Sequence, residues 1–313
     1  MADPASLLRL TLIICTYNRV QSLRQTLRSL RSLDVDGVEG EIIVVDNNSH
    51  DETRRAIEEF LPLSPLPARY LFEPRQGLSH ARNAGIEVAT GDIIVFSDDD
   101  VLVDPFWLRE IAAAFAQEDP AALGGKILPK WQAPPPRWLG PALHGFLALL
   151  DHGDKPMELR EPLLWGANLA VRRDVFRTFR FHVGLGRTGD KLYIGEDSDL
   201  LQRLIERGER VMYWPRAVVH HNIPAQRLTK TYFRKWNWDA GSMVAQRMPQ
   251  NVARSLFGIP YHYYRRTITD AARWARGALT RNGDAFLAEL QLVRTAGFAT
   301  TRVKGRLRRR PMR

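Results

Sequence analysis

The sequence predicts an α/β fold: a mostly parallel sheet with helices on both faces, followed by a basic helical C-terminal extension. Three observations carry that prediction. Short apolar runs alternate with segments of helical period over the first 120 residues, the pattern of β-α units rather than of hairpins. Three of those runs stop abruptly in polar clusters, as strands buried on both faces do at the edge of a parallel sheet. The formal net charge of +10 is segregated: residues 261–313 hold 13 Lys and Arg against 3 Asp and Glu, whereas residues 1–260 hold 32 of each. The expected organisation is a neutral body over 1–250, with halves at 1–120 and 121–250, and a basic extension over 251–313.

Taken in order, Arg9 to Cys15 is an apolar strand closed by the polar turn Thr16-Tyr17-Asn18-Arg19. Val20, Leu23, Leu27 and Leu30 then recur three and four apart, which is a helix face. Glu41 to Val45 is a second buried strand, stopped by Asp46-Asn47-Asn48-Ser49. Ser49 and Glu52 have the spacing of a capping box for the next helix. Pro62, Pro65 and Pro67 break that helix, and Ala68 to Phe72 is a short strand. Ser79 is expected to cap a helix carrying Ala81, Arg82, Asn83 and Val88, ended by Gly91. Ile93 to Phe96 is the next buried strand, and it runs into Asp98-Asp99-Asp100. Asp104-Pro105 predicts a helix start, with Leu108, Ile111 and Phe115 as its buried face.

The second half is less regular. Ala121 to Leu128 reads as a strand, and Pro129 to Pro162 as a proline-rich irregular stretch with Trp131 and Trp138. Trp165-Gly166-Ala167-Asn168 leads into Leu169-Ala170-Val171 and a short helix from Asp174. Gly184, Gly186, Gly189 and Gly195 mark a flexible loop that ends where Glu196-Asp197 begins a helix. Val211 to Trp214 and Ala217 to His221 read as two short strands, and Thr229 to Met248 as an aromatic-rich helix stopped by Pro249.

Composition narrows the chemistry. A single cysteine, Cys15, excludes an internal disulfide framework and a cysteine-based zinc site, and fits a reducing cytosol. No basic-then-apolar leader opens the chain, and no apolar stretch approaches the ~20 residues of a membrane span. Neither a Gly-x-Gly-x-x-Gly turn nor a Gly-Lys-Ser/Thr loop follows the first strand. Three crowded carboxylates at a strand end repel one another and need a cation. A hard divalent ion shared with a diphosphate answers that need; an Asp-rich turn capping the next helix is the other reading. Strand ends of a parallel sheet share one edge, so Thr16–Arg19, Asp46–Ser49 and Asp98–Asp100 can converge on one ligand.

In their order and spacing, several segments resemble the family 2 glycosyltransferases, inverting nucleotide-sugar enzymes of the GT-A fold. They are Cys15–Arg19, Val44–Ser49, Gly77–Asn83, Ser97–Asp100, Gly166–Asn168, Gly195–Asp197, and Tyr213-Trp214-Pro215 followed by Ala217 and His221. The match covers roughly residues 8–245. The resemblance implies a Rossmann-like sheet, a nucleotide-binding half over 1–120 and an acceptor and catalytic half over 121–250. It places Thr16, Tyr17, Asn18, Arg19, Asp46, Asn48, Gly77, Arg82, Asp98 and Asp99 at the nucleotide. Asp46 would accept from a ring N–H of uracil or thymine, which favours a UDP- or dTDP-sugar. Asp98-Asp99-Asp100 stands where the family has its D-x-D motif, so Asp100, Asp98 and His221 would hold Mg²⁺ or Mn²⁺. Asp197, beside Glu196, takes the position of the general base, and Trp165, Gly166, Ala167 and Asn168 the place of donor-sugar and acceptor contacts.

The residues alone leave alternatives. Asp46 also fits a strand-end turn, and Arg19 a solvated helix start. Arg82 reads either as a nucleotide contact or as a surface salt bridge, and Trp165 either as a sugar platform or as core. Either histidine at 220–221 fits a buried structural role, and Glu196-Asp197 a helix cap favoured by the dipole. Arg234-Lys235-Trp236 lacks the glutamine of the Gln-x-x-Arg-Trp motif of processive members. The expected activity is metal-dependent inverting transfer of a sugar from a nucleotide donor to a carbohydrate or lipid-linked acceptor in polysaccharide or glycolipid assembly. A sugar-phosphate nucleotidyltransferase and a non-catalytic nucleotide-sugar-binding scaffold are the runners-up. The extension, with Tyr261, Tyr263, Tyr264, Ile268, Trp274 and a second helical stretch from Ala285 to Ala296, reads as peripheral contact with the anionic inner face of a membrane. A helix packed on the body with a disordered basic end is the alternative. No nucleic-acid module accompanies it, so nucleic acid is not an expected partner.

Overall fold

The computed structural model describes residues 8–187, 195–249, 252, 254–280 and 284–307; Gly189 of the predicted loop and residues 308–310 of the basic end lie outside them. The chain forms two compact units, one of residues 1–130, 148–189 and 195–222, the other of 131–147, 190–194 and 223–313.

The first unit begins with the predicted alternation: β1 (Arg9–Thr16), α1 (Val20–Leu30), β2 (Glu39–Asp46), α2 (Thr53–Phe60), β3 (Ala68–Phe72), α3 (Leu78–Val88), β4 (Ile93–Asp98), β5 (Val101–Val103) and α4 (Trp107–Glu118). It continues with β6 (Ala122–Trp131), β7 (Met157–Glu158), β8 (Leu169–Arg172), α5 (Glu196–Glu206) and β9 (Val211–Ile223). The strands form one sheet in the order β3-β2-β1-β4-β8-β6-β9-β5, with β7 on β9. Its first four strands are parallel. Beyond β4 the sheet is extended by antiparallel pairs, β8 on β4 and β6 on β8, with β5 and β7 on β9. Ile42–Val45 and Ile93–Phe96 are buried throughout, as expected of strands covered on both faces. The register pairs Thr16 with Asp46 and Cys15 with Asp98, so three polar strand ends reach the same edge.

Four local expectations change. The Ser49 hydroxyl accepts from the Asn18 N–H at 3.0 Å instead of capping a helix. α2 is entered through Asp51, whose Oδ1 accepts from the Thr53 N–H at 3.1 Å and the Thr53 hydroxyl at 2.5 Å. Ser79 lies inside α3, and its hydroxyl donates to the Leu185 carbonyl at 2.8 Å. Asp104-Pro105 forms a turn ahead of α4, with Asp104 Oδ1 accepting from the Phe106 N–H at 2.9 Å. The two short strands predicted around Pro215 are the single 13-residue β9. Pro215 falls between the segments of β9 that pair with β7 and with β5, so its missing N–H removes no bond from either pairing.

The second unit contains α6 (Lys230–Arg247), the hairpin β10 (Ser255–Leu256) and β11 (Ile259–Pro260), α7 (Tyr261–Thr280) and α8 (Asp284–Leu307). The Thr229 hydroxyl caps α6, accepting from the Tyr232 N–H at 3.2 Å. A Cβ on Gly241 would lie 1.9 Å from the Arg294 carbonyl oxygen, so only glycine lets the backbones of α6 and α8 approach this closely. Trp138, Phe146 and Phe286 surround Phe233 edge-on at 5.4, 5.9 and 6.2 Å, which gives the proline-rich stretch a packed anchor. Arg302 is fully buried and donates to the carbonyls of Met248, Pro249 and Gly258 at 2.8, 2.8 and 2.9 Å.

Candidate active site

The site is built at the carboxyl edge of the parallel strands, within the first unit. The turns after β1 and β2 are stitched together by backbone donors. Asn18, at φ +49°, lends its side-chain oxygen to the His50 N–H at 2.7 Å, while Asp51 accepts from the Val20 N–H at 3.0 Å. Asp46 is buried; its oxygens accept from the Ser49 N–H at 2.9 Å and the Tyr70 hydroxyl at 3.1 Å. Asn48 adopts φ +65° in the same turn. Tyr17 stands beside Thr16 in a partly exposed position.

Asn47, which sequence reading passed over, organises the next loop. Its amide donates to the Glu73 and Arg75 carbonyls at 3.1 and 2.7 Å, and its oxygen accepts from the Gly77 N–H at 2.8 Å. Gly77 is the entry residue of α3, so Asn47 fixes where that helix begins and hence where Arg82 arrives. The signal for this is a side chain at the end of a buried strand beside a loop whose backbone needs partners.

Two arginines divide the carboxylates. Arg19, entering α1, donates to Asp99 at 2.5 Å and to Asp100 at 2.7 Å. The Thr16 hydroxyl donates to the other Asp99 oxygen at 2.7 Å. Burial pushes the Asp99 carboxyl up to about 6, against the pull of Arg19. Arg82 is not a surface side chain. It is 3% exposed, lies over the rings of Phe96 and Phe181 at 5.8 and 5.1 Å, and contacts Glu196 at 3.2 Å, Asp98 at 3.6 Å and Asp197. One buried guanidinium therefore joins α3, β4 and the start of α5.

Asp197 and Glu196 differ in setting. The second Asp197 oxygen accepts from the Gly166 N–H at 2.7 Å, so both of its oxygens are held. A Cβ on Gly166 would fall 2.1 Å from an Arg82 nitrogen and 2.7 Å from Asp197, so any side chain here would push the guanidinium and the carboxylate out of place. Glu196 is buried, and burial together with the neighbouring Asp197 charge pushes its carboxyl up to about 7. Ala167 is buried next to Gly166, its carbonyl accepting from the Ser97 hydroxyl at 3.1 Å. Asn168 is engaged in the framework: its amide donates to the Lys126 and Ala217 carbonyls at 3.0 and 2.8 Å and its oxygen accepts from the Trp107 indole at 2.9 Å. Among the described residues the buried indole N–H of Trp165 has no hydrogen-bond partner.

Backbone pairing delivers the histidine. β5 follows Asp100 directly and pairs antiparallel with β9, setting Val101 opposite His221. The Asn222 N–H donates to the Asp100 carbonyl at 2.9 Å, and His221 Nε2 stands 3.2 Å from Asp100 Oδ2. Asp98, Asp100 and His221 carry carboxylates and an imidazole of the kind that could hold Mg²⁺ or Mn²⁺. Among the described residues no three such side chains close a ligand cage by themselves. Phosphate oxygens of a bound nucleotide complete such a set where an ion sits at an active site.

Comparison with known proteins agrees with this architecture. The model of glycosyl transferase family 2 matches residues 11–181. Succinoglycan biosynthesis protein ExoM of Rhizobium meliloti is 29% identical over 242 residues, covering 76% of this chain and 74% of that protein. A glucosyl-dolichyl phosphate glucuronosyltransferase of Haloferax volcanii is 27% identical over 223 residues, covering 69% and 70%. The mannosyltransferase PcManGT from Pyrobaculum calidifontis, solved with GDP-Man and Mn²⁺, superposes with a TM-score of 0.62 at 20% identity, over 98% of this chain and 90% of that one. That likeness establishes the shared GT-A fold.

Proposed function

The chain belongs to glycosyl transferase family 2, and from that premise we propose that it is a metal-dependent inverting glycosyltransferase. It moves a sugar from a nucleoside diphosphate donor, with UDP- or dTDP-sugars favoured, to a hydroxyl of a carbohydrate or lipid-linked acceptor in polysaccharide or glycolipid assembly. The observation that carries this reading is the strand pairing that brings His221 to Asp100 at the edge where Asp98 and Asp99 also end. Relatives named for succinoglycan biosynthesis and for glucosyl-dolichyl phosphate support the acceptor class. Among the described residues no helix is long and apolar enough to cross a membrane. Peripheral contact through residues 261–313, on the cytoplasmic side, belongs to the same reading.

Each residue has a part in it. Asp46 spends one lone pair of each oxygen on Ser49 and Tyr70, and a carboxylate can accept more than two bonds, so it can still take a ring N–H of the base. Arg19 stands where a diphosphate would compete with Asp99 and Asp100 for its guanidinium. A divalent cation held by Asp98, Asp100 and His221 would offset the charge on the departing diphosphate. Arg82 and the Gly166 N–H fix the Asp197 carboxylate from two sides. Asp197 takes the acceptor hydroxyl proton while that oxygen bonds to the anomeric carbon; the bond to the diphosphate breaks on the opposite face, and its electron pair leaves with phosphate. The indole N–H of Trp165, without a partner among the described residues, is a donor for a sugar oxygen.

Calorimetric titration of UDP, dTDP and GDP, each with Mn²⁺ and with EDTA, tests the reading. Binding of one nucleotide is expected only with metal, and is lost in Asp100→Ala. Asp197→Asn is expected to keep that binding and lose transfer by at least about a hundredfold. Binding that ignores both EDTA and Asp100→Ala would refute the metal site.

A further inference from the structure

The second unit exposes an apolar face that the donor site does not use. Along α7, Tyr261, Ile268, Ala272, Ala275 and Leu279 recur at helical spacing on one side, and all are exposed, Ile268 at 72% and Leu279 at 86%. The opposite side of the same helix buries Asp270 and Gly277. A helix packed by one stripe against its neighbours normally turns charge outward. Here an apolar stripe faces outward instead. Arg265 and Arg276 border it, with Arg266 and Arg273 further round the same flank, all exposed.

A separate feature ends beside this helix. The hairpin of β10 and β11 turns through Phe257 at φ +53° and Gly258 at φ +77°, a two-residue turn that favours Asn or Gly at both positions. A phenylalanine in that conformation is strained, and Phe257 is 63% exposed, so packing among the described residues does little to offset the cost. The Tyr264 hydroxyl donates to the Leu256 carbonyl at 2.9 Å, and the Tyr261 N–H to the Arg254 carbonyl at 3.1 Å, holding the hairpin to the first turns of α7.

We propose that Phe257 at the hairpin tip and the outer stripe of α7 dock on the surface of an anionic lipid bilayer, the rings and aliphatic side chains entering the interface and Arg265 and Arg276 meeting lipid phosphates. Charge selects the occupant. The segment from 261 onward carries 13 basic against 3 acidic residues, an excess that stays large with Arg302 buried, which suits a negatively charged surface. An apolar stripe bordered by arginine is the makeup of a helix that lies in a membrane interface. The proposal rests on the membrane contact stated above and names the surface that makes it; it is independent of the donor chemistry.

The test is co-sedimentation of the full-length chain with vesicles of phosphatidylcholine alone or mixed with phosphatidylglycerol, at low and high salt. Binding is expected only to the anionic vesicles and is expected to weaken with salt. Ile268→Glu with Leu279→Glu should lower it at least about tenfold, and Arg265→Gln and Arg276→Gln about fivefold each. Phe257→Gly is the decisive variant, because it relieves the strained turn: the melting temperature should hold or rise while vesicle binding falls. Nucleotide titration of the same variants should match the parent, so a failed donor reading and a failed docking surface are told apart. Three results would each overturn the proposal: equal binding to neutral vesicles, anionic binding unchanged by the Ile268 and Phe257 variants, or a dimer in solution that Ile268→Glu dissociates.

Discussion

Glu196 concentrates the electrostatic conflict of the site in one side chain. It is buried beside the Asp197 charge, and Arg82 must serve Asp98 and Asp197 as well. Its carboxyl therefore rises from the ordinary 4.5 to about 7. The sign of the linkage follows directly. Between those two values the unfolded chain has released this proton and the folded chain still holds it, so raising the pH draws the equilibrium toward unfolding. The contribution is present below 4.5, falls away as pH climbs to about 7, and is constant above. Melting curves taken across that interval should show a decline that Glu196→Gln flattens, because glutamine keeps the neutral hydrogen-bonding form at every pH. An identical slope in the variant would assign the proton elsewhere. Nothing in the linear sequence announces this. Glu196-Asp197 reads equally well as a dipole-favoured cap; the burial that raises Glu196 is a property of the fold, in which Arg82 arrives from 114 positions away.

At the scale of elements, what could be read in advance depended on whether the deciding partner was near in sequence. Ile93–Phe96 is legible as a strand because burial on both faces leaves a continuous apolar run, and α6 begins beside the predicted helix start because Thr229 serves Tyr232 three residues on. Ser49 and Ser79 read as caps in the sequence, but their partners in the fold, Asn18 and Leu185, lie 31 and 106 positions away. Pro215 divides a sequence pattern without dividing β9, since its position relative to β5 and β7 is a property of the sheet. Arg302 shows the same limit at the end of α6. Read in sequence it is one more basic residue of the extension; in the fold it is buried and closes the carbonyls of Met248 and Pro249 and the hairpin residue Gly258. Cations at a helix C-terminus are favoured by the dipole, and each charged hydrogen bond contributes about 1.5–3 kcal/mol. Arg302→Ala should therefore cost about 3 kcal/mol or more in denaturant unfolding and speed amide exchange in the hairpin. Arg302→Lys should recover only part, because an ammonium cannot reproduce the fork that reaches three carbonyls. If lysine restored full stability, charge alone would explain the residue.

For the whole molecule, a net charge of +10 suggests nonspecific affinity for any polyanion, nucleotides included. The distribution of that charge argues otherwise. The first 260 residues balance to zero, and within them the donor edge gathers Asp98, Asp99, Asp100, Glu196 and Asp197 against two arginines. A nucleoside diphosphate approaching this edge alone meets like charge. With a divalent ion it meets a neutralised one, so ion and nucleotide should each strengthen the other's binding by the same factor. The basic extension obeys a different rule, because exposed charges are screened once the Debye length shrinks to about 10 Å near 0.1 M salt. Raising monovalent salt should therefore release the chain from anionic vesicles while leaving metal-dependent nucleotide binding within a few fold. Chelation should do the reverse, abolishing nucleotide binding and sparing vesicle binding. The two titrations, run on one preparation, separate a site where charge is buried and paired from a surface where it is exposed and diffuse. If chelation and salt moved both activities together, the excess positive charge would be acting on the donor as well, and the neutrality of the first 260 residues would not govern how the nucleotide binds.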